Sequence, residues 1–167
     1  PGDTLVDIGA GTGIFSLLAC SHGAGRVHAI EPSNNVALLD ELAALNGFGD
    51  RIETHQKLSQ QVEIAPRAAV MIPDLRGTLP LFQNNFSAIE DARSRLLVPG
   101  GVIIPACDTI FAAPVSAHEK FQSMSIATES GELGIDLNPT SEYLHNSFQY
   151  AEFQPSNLIA EPRDWVT

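Results

Sequence analysis

The sequence predicts an α/β chain: a doubly wound, mostly parallel sheet followed by the start of a β-rich segment. Three observations carry this. Up to Pro105, short apolar runs alternate with longer stretches that are apolar at helical spacing. The first run stops at Gly9-Ala10-Gly11-Thr12-Gly13, a turn that passes a strand into a helix. After Pro105 the alternation fades and strand-like runs stand apart from one another.

Thr4 to Ile8 is an apolar run ended by glycines, and Ile14 to Cys20 spaces its apolar residues for a helix. Arg26 to Ile30, followed by Glu31-Pro32, predicts the second strand. Asn35 to Asn46 reads as a helix, with Val36, Leu39, Leu42 and Ala43 on one face and Asn46-Gly47 as its stop. Arg51 to His55 predicts a third strand, and Ala68 to Ile72, closed by Pro73-Asp74, a fourth. Phe86 to Leu97 predicts a helix, and Pro99-Gly100-Gly101 a turn into Val102-Ile103-Ile104. Crossovers in such a sheet are right-handed, and its ligand crevice lies at the carboxyl ends of the strands. Beyond Pro105, Thr109 to Val115 reads as a strand, and Phe148 to Phe153 alternates apolar with polar side chains. Two domains follow: residues 1–105, and residues 106–167 as a β-rich segment of a larger second domain.

The chain has 167 residues, 44% hydrophobic and 17% charged, enough apolar material for a packed core. Its formal charge is −11. Such a chain has no excess of cations to displace phosphate counterions, so nucleic-acid partners are disfavoured. Basic partners, or small molecules in a local pocket, fit better. Cys20 and Cys107 lack any C-x-x-C neighbour and read as buried thiols in a reducing, cytoplasmic compartment. No stretch reaches the roughly 18 apolar residues of a membrane span, and no basic-then-apolar leader precedes the first motif. The abrupt start and stop are those expected of a piece of a longer polypeptide.

The glycine turn is the most informative stretch. A dinucleotide loop needs G-x-G-x-x-G, but the third glycine falls on Ile14 in one register and on Ser16 in the other. A phosphate-binding P-loop fails too, because no Gly-Lys-Ser/Thr follows. A nicotinamide enzyme is disfavoured on the same ground. What remains is Asp7, two positions before the glycines, and Glu31, at the end of the second strand. Asp7 suits an ammonium and would repel a pyrophosphate. A carboxylate at Glu31 can accept both hydroxyls of a ribose. A nucleoside with a cationic, amino-acid-like tail satisfies both, and S-adenosylmethionine is one. A plain strand–helix turn beside a solvated Glu31 is the bland alternative.

Leu5 to Ser16 resembles the first motif of class I S-adenosylmethionine-dependent methyltransferases. Val27 to Ser33 is similar to their ribose motif, and Leu97-Val98-Pro99-Gly100-Gly101 to a late hairpin. Thr12-Gly13-Ile14, Asp50-Arg51-Ile52 and Asn157 to Pro162 are in the style of the protein arginine methyltransferase branch. The resemblance implies a Rossmann-like methyltransferase fold leading into a barrel-like segment, with S-adenosyl-L-methionine as cofactor. It places Asp7, Gly9, Ala10, Gly11, Thr12 and Gly13 at the methionine end. Glu31, with Pro32 and Ser33 beside it, would take the ribose, and Leu58 within Lys57-Leu58-Ser59 the adenine edge. A homodimer is the assembly it implies.

That branch carries two glutamates on a loop after the fourth strand, which clamp a guanidinium. Here the matching stretch holds Asp74, then Arg76, and uncharged Asn84 and Asn85 where the second glutamate would fall. A missing carboxylate forfeits charge-assisted bonds worth about 1.5–3 kcal/mol each. The expectation is therefore a methyltransferase whose acceptor, a small molecule or a protein site, is not a standard arginine. Asp74 is the candidate catalytic residue, to orient the acceptor or take its proton. A catalytically idle relative, kept for binding or assembly, is the alternative. His28 reads as a packed core histidine, and His55, His118 and His145 show no metal-ligand spacing, so no metal is expected.

Overall fold

The computed structural model describes residues 2–75, 77, 85–126, 138–148 and 150–167. The chain divides into two compact units, Pro1–Cys107 and Asp108–Thr167.

In the first unit the order is β1 (Thr4–Ile8), α1 (Ile14–Ser21), β2 (Arg26–Ile30), α2 (Val36–Leu45), β3 (Ile52–His55), β4 (Ala68–Pro73), α3 (Asn85–Arg95) and β5 (Leu97–Ile103), with one 3-10 turn at Ser59–Gln61. The strands form one sheet in the order β3-β2-β1-β4-β5, every pairing parallel. From β1 the chain winds outward through β2 to β3, then returns to place β4 on the other side of β1. Strand order therefore reverses between β1 and β4, the place where parallel sheets open a crevice at their carboxyl ends.

Alternation along β1 splits the core into two layers. Val6 and Ile8 join Ile30, Met71, Leu96 and Ala92 on one face, and Leu5 joins Val27, Ala29, Leu39 and Ala43 on the other. Arg51 ties the second layer together. Its guanidinium donates to the carbonyls of Cys20, in the last turn of α1, and Ala24, beyond it, at 3.0 and 3.1 Å, and lies 4.7 Å over the Phe48 ring. Arg95 does the same on the first layer. It pairs with Asp91 at 2.6 Å and donates to the carbonyls of Val62 and Ser59, fixing the 3-10 turn to α3.

Two expectations change. Pro99-Gly100-Gly101 is no turn between elements but lies inside β5, where the pairing jumps from Ala68–Leu97 to Val70–Val102. The extra residues are absorbed as an irregularity in the strand, with Gly100 at φ 77. Cys20 is buried, but Cys107 is exposed, because it follows β5 in irregular chain outside both apolar layers.

The second unit contains β6 (Ile110–Ala112), α4 (His118–Ile126), α5 (Asn138–His145), a 3-10 turn at Pro155–Asn157 and β7 (Arg163–Val166). β6 and β7 pair antiparallel, and a bridge joins Val115 to Leu158. The segment around Phe148 to Phe153 alternates in sequence yet forms no strand among its described residues; Phe148, Tyr150 and Phe153 are all exposed, with no sheet face to cover them. No helix among the described residues is long and apolar enough to cross a membrane.

Candidate functional site

The carboxyl ends of β2, β1 and β4 bring three carboxylates to one rim: Glu31, Asp7 and Asp74. The glycine loop fills the space between the first two. Its start is held down by the Gly9 and Ala10 N–H groups, both donating to the Ile30 carbonyl at 2.9 and 3.1 Å. The loop then folds back, with Gly13 N–H donating to the Ala10 carbonyl at 2.7 Å. A side chain at Gly9 would meet the Asp74 carbonyl and Leu75 at 2.9 Å, with φ at +77°. One at Gly13 would strike Leu39 of α2. Glycine is required at these two places because β4 and α2 press directly against the loop.

Asp7 is wholly buried. Ser16, on the buried face of α1, donates its hydroxyl to Asp7 Oδ2 at 2.7 Å, while Oδ1 has no partner. Desolvation raises the carboxyl from 3.8 to about 6, and the Asp74 and Glu31 charges push the same way against the Ser16 hydrogen bonds. Glu31 sits across the loop mouth. Its Oε2 accepts the Gly11 N–H at 2.9 Å and its Oε1 the Ser33 N–H at 2.8 Å. Burial pushes Glu31 up, but the Ser33 and Gly11 bonds together outweigh it and hold the carboxyl below its ordinary value. Among the described residues, no cation contributes to the shift of either group. A carboxylate has about four acceptor positions, so each Glu31 oxygen keeps one for a further donor.

The residues singled out from the sequence meet here. Pro32 and Ser33 leave β2 beside Glu31, and Gln56 bridges to this turn through the Asn34 side chain at 3.0 Å. Leu58, after β3, exposes its side chain at the same rim and opens the 3-10 turn that Arg95 anchors. Asp74 is exposed and follows β4; its N–H donates to the Ile8 carbonyl at 2.9 Å, which sets it against Gly9. Arg76 and Asn84, on the loop compared with the double-glutamate clamp, lie outside the described residues, and Asn85 begins α3. Ser16 was not singled out. Its signal was a lone hydroxyl on the inward face of an otherwise apolar helix.

The arrangement is an acidic rim around a glycine loop, with a buried carboxylate whose second oxygen has no partner. It suits a ligand with an ammonium or sulfonium centre and neutral hydroxyls, and it opposes a diphosphate.

No protein-family model matches the chain. It is 33% identical over 137 residues, 82% of its length, to a probable protein arginine N-methyltransferase 6 of Arabidopsis thaliana, covering 31% of that protein. It is 27% identical over 161 residues, 96% of its length, to protein arginine N-methyltransferase 6 of Xenopus laevis, covering 47% of it. The chain thus spans less than half the length of these relatives. Among solved structures, the PRMT1 enzyme–prozyme heterotetrameric complex with AdoHcy from Trypanosoma brucei superposes with a TM-score of 0.87 at 20% identity, over 99% of this chain and 52% of that one. That likeness shows the fold.

Proposed function

We propose, for a chain that belongs to the protein arginine methyltransferase branch of the class I S-adenosylmethionine-dependent methyltransferases, that the acidic rim binds S-adenosylmethionine. We propose further that the protein methylates an acceptor other than a standard arginine site. The observation that carries this is the pairing of Asp7 and Glu31 around one glycine loop, with no cation among the described residues contributing to the shift of either. The bound cofactor supplies a methyl group on a positively charged sulfur, a good leaving group, so the protein's task is alignment and exclusion of water. Asp7, with Gly9, Ala10, Gly11, Thr12 and Gly13, frames the cationic amino-acid end. Glu31 accepts ribose hydroxyls while its existing bonds to Gly11 and Ser33 fix its rotamer. Pro32 and Ser33 flank Glu31 at the ribose, and Leu58 borders the adenine edge. Asp74, exposed at the end of β4, orients the acceptor or holds its proton.

The departure from arginine rests on charge. Between Asp74 and Glu90 the chain carries no acidic residue. A guanidinium held by Asp74 alone would lack its second bidentate partner. The same observation favours a second reading, a protein that binds the cofactor without transferring from it.

The full-length protein, incubated with methyl-labelled S-adenosylmethionine and pools of peptides and metabolites, should incorporate label, and Asp7→Ala and Glu31→Ala should abolish it. Cofactor binding without label in any pool would assign the second reading. No binding at all would remove both.

A further inference from the structure

Outside the acidic rim, one cluster is built for chemistry that the methyltransferase reading does not use. In the β2–β3 pairing, His28 lies opposite Glu53 and Ile30 opposite His55. Side chains two apart on a strand share a face, so His28, Glu53 and His55 project to the same side of the sheet. Their donor atoms converge. His28 Nδ1 is 3.1 Å from His55 Nε2, and Glu53 places Oε2 3.7 Å from the first and Oε1 3.8 Å from the second. Among the described residues they form a group of three ligand-type side chains within reach of one ion.

We propose that His28, Glu53 and His55 form a zinc site on the β2–β3 edge, with a fourth coordination position open to solvent. A tetrahedral zinc with bonds of about 2.0–2.2 Å spaces its nitrogen and oxygen ligands roughly 3.3–3.5 Å apart; the two nitrogens here lie 3.1 Å apart and Glu53 Oε1 3.8 Å from His55 Nε2, so small side-chain adjustments reach that spacing. The ligand set, two imidazoles and one carboxylate, is among those zinc takes in open sites. β3 is the edge strand of the sheet, and Glu53 and His55 are partly exposed while His28 is buried, so an ion has a way in from one side.

Two contacts compete. The 3.1 Å approach of His28 Nδ1 to His55 Nε2 is itself a hydrogen bond, which an ion would replace. Arg26 donates to Glu53 Oε2 at 2.6 Å. This leaves Oε1 for a monodentate bond, and it also opposes a cation by its own charge. The competition gives the proposal a signature that a merely structural histidine pair lacks: removing Arg26 should tighten metal binding, whereas removing Glu53 or His55 should weaken it. The position matters too. The Glu31 N–H donates to the His55 carbonyl at 3.1 Å, so an ion there would fasten β2 to β3 directly beside the rim.

The full-length protein, stripped with a chelator, is titrated with zinc alone against a chromogenic competitor. One equivalent should bind to the wild type. His55→Ala and Glu53→Gln should each weaken it by more than about a hundredfold, beyond the roughly 10–100-fold seen when only an outer partner of a ligand is lost. Arg26→Ala should bind more tightly than wild type. Cobalt in place of zinc should give the visible absorption of a tetrahedral site, lost in His55→Ala. His28→Ala is left aside because its burial invites unfolding; the other variants are surface-accessible, and thermal melts report whether they fold. A wild type that binds no zinc beyond loose surface association, or His55→Ala and Glu53→Gln variants that bind as tightly as wild type, would overturn the site.

Discussion

The Ser16 hydroxyl donates to Asp7 Oδ2 at 2.7 Å inside a space closed to solvent, and among the described residues no other side chain hydrogen-bonds to Asp7. The Ser16 hydrogen bonds do not offset the desolvation of a full carboxylate charge, so burial raises the Asp7 carboxyl.

The pH consequence follows from the raised carboxyl. Folded Asp7 sits at about 6 against an ordinary 3.8, so its contribution to stability is full below the ordinary value and is lost as pH rises through about 6. The loss is of order 3 kcal/mol. Asp7→Asn should remove that loss: urea unfolding at pH 5 and pH 7.5 should show a smaller drop for the variant than for wild type. Equal drops would contradict the burial argument.

Cofactor binding should in turn expel the proton. Calorimetry with S-adenosylhomocysteine near pH 6, in two buffers of different ionisation enthalpy, should report release of a fraction of a proton per site. Asp7→Asn should bind more weakly and release none.

Glu31→Gln replaces a carboxylate that accepts two backbone N–H groups with an amide that has one acceptor oxygen. Each charge-assisted bond is worth about 1.5–3 kcal/mol. The affinity for S-adenosylhomocysteine should fall at least tenfold. An unchanged dissociation constant would mean that Glu31 serves the loop alone.

Gly9→Ala and Gly47→Ala separate crowding from backbone strain. Both glycines have positive φ, +77° and +71°, but a side chain at Gly9 meets backbone at 2.9 Å whereas nothing lies within 4 Å of one at Gly47. Gly47→Ala should cost about 1–2 kcal/mol for the left-handed backbone, and Gly9→Ala clearly more. Equal costs would show that β4 does not confine the loop.

Most of the first unit was legible because its signals are local. β1 and β2 were read with the boundaries they have, since apolar runs ending in glycine or Glu-Pro admit few alternatives. Asp7, Glu31 and the loop meet because all three belong to one strand–turn–helix–strand unit. The Pro99-Gly100-Gly101 irregularity was misread as a turn because only the β4 register reveals that the strand continues through it. The His28–Glu53–His55 group was invisible for a similar reason. Glu53 and His55 are two apart, but His28 joins them only through parallel pairing across α2, and no spacing in sequence records that. Ser16 was passed over because its partner is fixed by the burial of α1 against β1.

The measurement that tests the central claim most directly is a structure of the full-length protein with S-adenosylhomocysteine bound. The nucleoside should lie over the glycine loop, with ribose hydroxyls on Glu31 and the ammonium on the Asp7 side. A nucleoside bound elsewhere, or Glu31 turned away from the sugar, would contradict it.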